Sequence, residues 1–213
     1  MDECNRRKTV KIHIVVAVLL ISFLTPLWAK DSTPQKLVVE TSEKVIAKLK
    51  EEQATIKEHP EKIYSLVEDL VLPHFDFERT SRWVLGKYWL RATDEQKQRF
   101  VVEFKHLLVR TYAKSLNEFV DKKFNYLPFR GKEGATNATV RMEVDEPGGF
   151  PIPINYKLHL KAGSWKLYDV EVDGISLVAN YRTSFSKEIR KKGLDRLIEK
   201  LAKGNQKSES ASS

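Results

Sequence analysis

The spacing of the apolar residues changes near Asp121. Between residues 34 and 119 the apolar residues recur every three or four positions, as they do along one side of an amphipathic helix. Between residues 138 and 172 they alternate with polar residues, which is the period of a strand with one buried face. Helical spacing returns after Ser176. This order predicts a single α+β domain, in which several helices pack against a curved antiparallel sheet of about four strands.

Helix boundaries are marked by residues with clear capping chemistry. Thr33 stands before Pro34, a favourable first-turn residue. Asp76 is placed to cap a short helix that ends at Gly86. A capping box is predicted at Thr93, with Gln96 three residues later, and it begins the longest amphipathic helix of the chain.

The predicted sheet is a meander. A short edge strand at 124–129 is interrupted by Pro128, and three longer strands follow at 138–144, 152–160 and 165–172. A helix capped by Ser176 ends at Gly193, and one or two amphipathic turns run to Leu201. Residues 204–213 are polar and are predicted to form a disordered tail.

The first 29 residues have the composition of a secretory signal peptide. A basic start is followed by an apolar run at 12–24 and by Ala29 as a cleavage residue. The run is short for a permanent membrane span, although an uncleaved anchor remains the alternative. The sequence therefore predicts a signal peptide over 1–29, an exported domain over 30–203, and a periplasmic location.

The position of the single cysteine and the net charge limit the kinds of site and partner that the chain can have. Cys4 precedes the apolar run, so the mature chain is expected to have no disulfide and no thiolate metal site. The formal net charge of +8 is consistent with solubility, or with attraction to anionic headgroups or acidic partner surfaces. An exported chain without a binding motif is not expected to bind nucleic acid.

A search for catalytic chemistry finds little. The histidines of the mature chain, His59, His74, His106 and His159, do not have metal-ligand spacing, and no phosphate-binding loop or nucleophile elbow is present in the sequence. We therefore expect no catalytic residue, no metal and no cofactor. One enzymatic alternative is a buried acid at Asp169, but Asp169 is out of phase with the inward-facing Val170 of the same predicted strand.

Several segments together resemble one known family, the MlaC or toluene-tolerance family. The resemblance covers residues 34–203 in order and spacing. It is carried by segments 84–89 (Val-Leu-Gly-Lys-Tyr-Trp), 111–113, 168–170, 173–182 and 192–195, and by the apolar side of the helix after Thr93.

The resemblance implies a periplasmic phospholipid carrier. Such a carrier shuttles lipid between an outer-membrane lipoprotein–porin complex and an inner-membrane ABC transporter that carries MCE-domain subunits, and so maintains outer-membrane lipid asymmetry. The acyl chains lie between helices and sheet, and the headgroup stays near solvent. A monomer is sufficient for this role, and the family has no catalytic residues or cofactor to transfer.

Strand alternation and the helix stripes give candidate lipid-binding residues. We expect an apolar pocket lined by inward strand positions and by helix residues that meet the sheet. These are Leu85, Tyr88, Leu108, Tyr112, Val140, Met142, Ile154, Tyr156, Leu158, Val170, Val172 and Tyr181. The competing hypothesis is an adaptor that binds partner proteins through an apolar groove; it predicts a filled core and no bound lipid.

Overall fold

A computed structural model of the chain contains a five-stranded antiparallel sheet in the strand order β1-β2-β3-β4-β5. The structure describes residues 33–132 and 134–210, and the side chains as far as residue 207. The predicted signal peptide over 1–29 lies outside the described residues. The strands are β1 (Phe124–Tyr126), β2 (Asn137–Val144), β3 (Ile152–Lys161), β4 (Ser164–Val172) and β5 (Ile175–Ser176).

Seven α-helices and three 3₁₀ turns accompany the sheet in the described part of the chain. The 3₁₀ turns span Leu72–His74, Gly86–Tyr88 and Lys114–Phe119. The α-helices are α1 (Pro34–Glu51), α2 (Gln53–Glu58), α3 (Lys62–Leu70), α4 (Phe77–Leu85), α5 (Asp94–Tyr112), α6 (Leu177–Lys192) and α7 (Leu194–Ser210). None of the helices in these ranges is long and apolar enough to cross a membrane. The predicted α+β class is confirmed, and β5 is the strand that the sequence did not indicate.

Capping explains where the helices begin. The Thr93 hydroxyl accepts a hydrogen bond from the Gln96 backbone N–H at 3.1 Å, and the Gln96 side chain accepts from the Thr93 backbone N–H at 3.0 Å. This is the predicted capping box. Asp76 and Ser176 accept from the backbone N–H groups at the starts of α4 and α6 in the same way.

The register of the sheet changes at one point in the β3–β4 pair. Lys157 is opposite Asp169, but Leu158 is opposite Leu167, so Tyr168 is the additional residue of a β-bulge. Beyond the short β5, the edge of β4 is covered by the segment that leads into α4. There the Asp76 backbone N–H donates to the Leu167 carbonyl at 2.7 Å, which leaves less strand edge available to other chains.

The apolar core is divided into clusters on different elements. The largest joins the helices α4, α5, α6 and α7 around Phe100, Phe104 and Phe185. Another joins α1, α2, α3 and α5. Two smaller clusters lie on the inner face of the sheet, one around Leu158 and one around Ile154.

Helix α7 is longer than the sequence predicted. The polar segment from Gly204, expected to be disordered, is helical as far as Ser210. Asn205 is buried, receives a hydrogen bond from Arg110 at 2.7 Å, and donates to the Glu103 backbone carbonyl at 3.1 Å. These contacts with α5 stabilise turns whose composition alone is that of a solvated tail.

Candidate functional site

A cavity of about 600 Å³ lies between the inner face of the sheet and the helices. Its volume falls within the roughly 300–1,000 Å³ of small-molecule sites, and its walls are almost entirely apolar. The sheet side of the wall consists of Met142, Ile154, Tyr156, Val170 and Val172. The helical side consists chiefly of Ser42, Val45 and Ile46 of α1, Val67 of α3, Leu108, Val109 and Tyr112 of α5, and Leu116 and Phe119 of the following 3₁₀ turn.

The structure brings many of the predicted site residues together. The predicted residues that line the cavity are Leu108, Tyr112, Met142, Ile154, Tyr156, Val170 and Val172. Their positions follow from the sheet register, in which Ile154 is opposite both Met142 and Val172, and Tyr156 is opposite Val170. The alternation of the strands therefore predicted the correct face of the sheet.

Other predicted site residues lie in packed clusters and do not line the cavity. Leu85 is fully buried among the helices, and Tyr88 and Tyr181 pack against the same helical cluster. Val140 and Leu158 do face the inner side of the sheet, but Val38 of α1 packs onto them there. For these residues the expectation of a cavity-lining position is corrected, because neighbouring helices fill the space in front of them.

Sequence reasoning missed an aromatic part of the wall. Phe75 and Phe77, on either side of the α4 cap, both line the cavity, and their ring centroids are 5.4 Å apart. The signal available in the sequence was the alternation of Phe75, Asp76 and Phe77, which places both rings on one side of an extended segment.

The cavity opens to solvent at one end. The lining residues Tyr112, Val172 and Ile175 are 41%, 42% and 66% exposed, whereas Val109 at the other side of the wall is 8% exposed. Asp173 and Asn180, which also line this end, are exposed. The mouth therefore lies between the end of α5 and the β4–β5 turn, where the chain leads into α6.

Apart from Asp173 and Asn180 at the mouth, the few polar side chains of the wall carry hydroxyl groups. Ser42 of α1 interacts with the hydroxyls of both Tyr126 and Tyr156. Burial, together with the nearby Tyr126, raises the pKa of Tyr156 to about 12. Near the mouth, burial and the Tyr112 hydroxyl raise the pKa of Tyr181 to about 12. Tyr156 and Tyr181 are therefore neutral hydrogen-bonding groups at neutral pH.

The family model of the MlaC protein matches residues 39–203, which is most of the chain and includes all of the cavity wall. The chain belongs to the MlaC family. The resemblance drawn from the sequence is thereby confirmed.

Among the relatives of this MlaC-family chain, one is named for phospholipid transport and another for toluene tolerance. The intermembrane phospholipid transport system binding protein MlaC of Haemophilus influenzae is 25% identical over 195 residues, covering 90% of this chain and 91% of that protein. The toluene tolerance protein ttg2D of Pseudomonas putida is 28% identical over 179 residues, covering 84% and 83%.

A solved structure has the same fold. It is the phospholipid-binding protein from Ralstonia solanacearum in complex with a phospholipid. Its TM-score to this MlaC-family chain is 0.74 at 31% identity, and the match covers 81% of this chain and 97% of that one. At this identity and coverage the likeness extends to the sequence as well as to the fold.

The acid that an enzymatic interpretation would need has structural partners in this MlaC-family chain. Asp169 accepts hydrogen bonds from Lys157 at 3.1 Å, from Ser176 at 2.7 Å and from the Val178 backbone N–H at 3.1 Å. It thereby ties β3, β4 and the start of α6 together. Asp169 is absent from the cavity wall, and no cluster of three or more metal-ligating side chains was found in the ranges that the structure describes.

Proposed function

We propose that this protein carries phospholipid, with the acyl chains in the apolar cavity and the headgroup at its mouth. The observation that carries the proposal is the cavity itself: its wall is almost entirely apolar and it opens at one end, as an amphiphile requires. The phospholipid bound to the Ralstonia solanacearum protein of the same fold supports the same assignment.

A carrier needs an apolar wall because acyl chains are costly to expose to water. Two chains of about sixteen carbons exposed to water would cost on the order of 20 kcal/mol, at roughly 0.8 kcal/mol per methylene. Met142, Ile154 and Val170 of the sheet replace that water with apolar surface. The wall has few polar groups and therefore gives little basis for selecting a headgroup, which stays near solvent at the mouth.

The proposed setting is the periplasm. The basic and apolar start at 1–29 supports export, and the name of the Haemophilus influenzae relative refers to an intermembrane phospholipid transport system. We place the chain between an outer-membrane lipoprotein–porin complex and an inner-membrane ABC transporter with MCE-domain subunits, where it maintains outer-membrane lipid asymmetry. The mass of the protein recovered from periplasm tests export directly, since removal of about 29 residues is expected.

Native mass spectrometry of protein purified without detergent, followed by organic extraction, tests the carrier function. One phospholipid per monomeric chain is the expected result. Protein that is lipid-free and also fails to load from liposomes would overturn the proposal and favour an adaptor that binds partner proteins. Substrate turnover dependent on Asp169 would instead favour an enzyme.

A further inference from the structure

Phe75 and Phe77, two of the phenylalanines of the cavity wall, belong to a short segment beside β4. Phe75 forms a parallel bridge with Leu167, and the backbone N–H of Asp76 donates to the Leu167 carbonyl at 2.7 Å. On either side of the α4 cap, the side chains of Phe75 and Phe77 line the cavity, while that of Asp76 reaches His159 on β3. The position of both rings therefore depends on how firmly Asp76 is held.

Asp76 is held by donors from two elements. Its carboxylate is 5% exposed, and Oδ2 lies 3.0 Å from His159 Nε2 and 2.9 Å from Lys161 Nζ. Oδ1 accepts from the Arg79 backbone N–H at 3.0 Å, which caps α4. A buried carboxylate with this many charge-assisted partners is costly to move, because movement would leave the donors without an acceptor.

The histidine in this cluster has only one neutral tautomer that satisfies its neighbours. Arg79 Nη1 lies 3.4 Å from His159 Nδ1, and a guanidinium group can only donate, so Nδ1 accepts. The ring proton is then on Nε2 and is donated to Asp76. Arg79 is itself fixed by its position over the Tyr168 ring, with Cζ 4.9 Å from the ring centroid. The cluster therefore holds Asp76 in a single orientation.

We propose that Asp76 is a positioning residue of the lipid cavity: held by His159 and Lys161, it fixes the Phe75–Phe77 wall and thereby sets which acyl-chain lengths the cavity accepts. This inference rests on the proposed carrier function. It adds a determinant of chain length that lies outside the cavity and acts through the rings that line it.

The substitution Asp76→Asn keeps the α4 cap but removes the carboxylate acceptor for His159 and Lys161. Asparagine still accepts from the Arg79 backbone, so the α4 cap is retained. Its amide nitrogen would face the donors of His159 and Lys161, however, and His159 cannot accept at both ring nitrogens and remain neutral. The Phe75–Phe77 segment is thereby released while the shape of the side chain is kept.

The test is a competition between two lipids. Wild-type and variant proteins are offered vesicles with equal amounts of dimyristoleoyl- and dioleoyl-phosphatidylcholine, and the bound lipids are extracted and counted. In Asp76→Asn the freed rings enlarge the cavity, so we expect a shift toward the longer chain of about fourfold, the factor given by one methylene of burial. Phe75→Ala, which shortens the same wall, should shift the ratio in the same direction.

Controls separate this effect from a loss of stability. Thr93→Ala removes the side-chain cap of α5, far from the Phe75–Phe77 segment in sequence and absent from the cavity wall, and should leave the ratio unchanged. Lys161→Met removes one donor from a half-exposed position and serves if Asp76→Asn does not fold; it should produce a smaller shift in the same direction. An unchanged ratio in the folded variants overturns the inference and leaves the carrier function intact. A wild-type protein that binds neither lipid overturns both.

Discussion

The guanidinium group of Arg182 lies directly against Gly86, where α4 ends. A β-carbon at Gly86 would come within 2.8 Å of Arg182 Nη2, and the backbone of Gly86 has φ +54°. Both the conformation and the close approach favour glycine at this position. The contact joins the end of α4 to the first half of α6.

Gly86→Ala should destabilise the protein more than Gly193→Ala. Gly193 also has a positive φ, of +83°, but a β-carbon there would meet nothing within 4 Å. We expect Gly193→Ala to cost about 1–3 kcal/mol from conformation alone. Gly86→Ala should cost about 0.5–1.5 kcal/mol more, because the exposed Arg182 side chain must shift from its present rotamer to make room. Urea denaturation gives both values. In an Arg182→Ala background the difference should largely disappear; an undiminished difference would mean that Arg182 is not the cause.

The sequence was informative wherever local chemistry decides the structure. The capping box at Thr93, the cap at Ser176 and the inward phase of Ile154 all follow from hydrogen-bonding capacity and strand alternation, and the structure has each of them. Strand alternation put Asp169 out of phase with Val170, and Asp169 is indeed absent from the cavity wall. It is paired with Lys157, but it is also 4% exposed and caps α6.

The sequence did not predict where along the sheet the cavity lies. Alternation distinguishes the two faces of a strand, but it cannot tell that Val38 covers Val140 and Leu158 while the space before Ile154 stays open. Covering depends on how α1 crosses the sheet, which is a tertiary property. For the same reason Leu85 and Tyr181, apolar and well placed in sequence, are in the helical cluster instead.

Ile154→Glu should prevent lipid loading, because it places a carboxylate in the apolar wall where no basic partner lines the cavity. The measurement is loading from liposomes, followed by extraction. Leu90→Glu is the matched control, since Leu90 is 78% exposed and absent from the wall. Val172→Glu, at the 42% exposed mouth, serves if Ile154→Glu does not fold, and should reduce loading. Normal loading in folded Ile154→Glu would contradict a lipid-filled cavity.

Asn205→Ala should loosen the end of α7. Asn205 is 5% exposed and bonds to Arg110 and to Glu103, both on α5. Loss of these charge-assisted hydrogen bonds should cost about 2 kcal/mol, measured by chemical denaturation. Gln206→Ala, one residue further along at an exposed position, is the control and should change little. Equal effects of the two changes would show that the last turns of α7 contribute nothing through Asn205.

Acidification should destabilise the protein in two steps. Burial lowers the pKa of both His159 and His74 from 6.5. The positive charges of Arg79 near His159 and of Lys166 near His74 lower the pKa values further. The folded protein then holds fewer protons than the unfolded chain, so stability present above the ordinary pKa is lost as pH falls from about 6.5 toward the folded values.

Asp76 gives the second step. Its burial alone would raise the pKa, but hydrogen bonds from Arg79, Lys161 and His159 outweigh it and hold the pKa below 3.8. Its contribution to stability is present above about 3.8 and is lost as pH falls through the lower folded value. Melting temperatures measured across this range test both steps. His159→Gln and His74→Gln should each flatten part of the first step; a slope unaffected by both would contradict the assignment.

The largest apolar cluster of the described residues is centred on phenylalanines that do not line the cavity. Phe100, Phe104 and Phe185 hold the four helices together, and Val140 and Leu158 hold α1 to the sheet, without any contribution from a cavity occupant. Because this packing does not depend on a molecule in the cavity, the fold should remain stable when the cavity is empty. The proposed carrier would therefore keep its fold when the lipid leaves and could be loaded again.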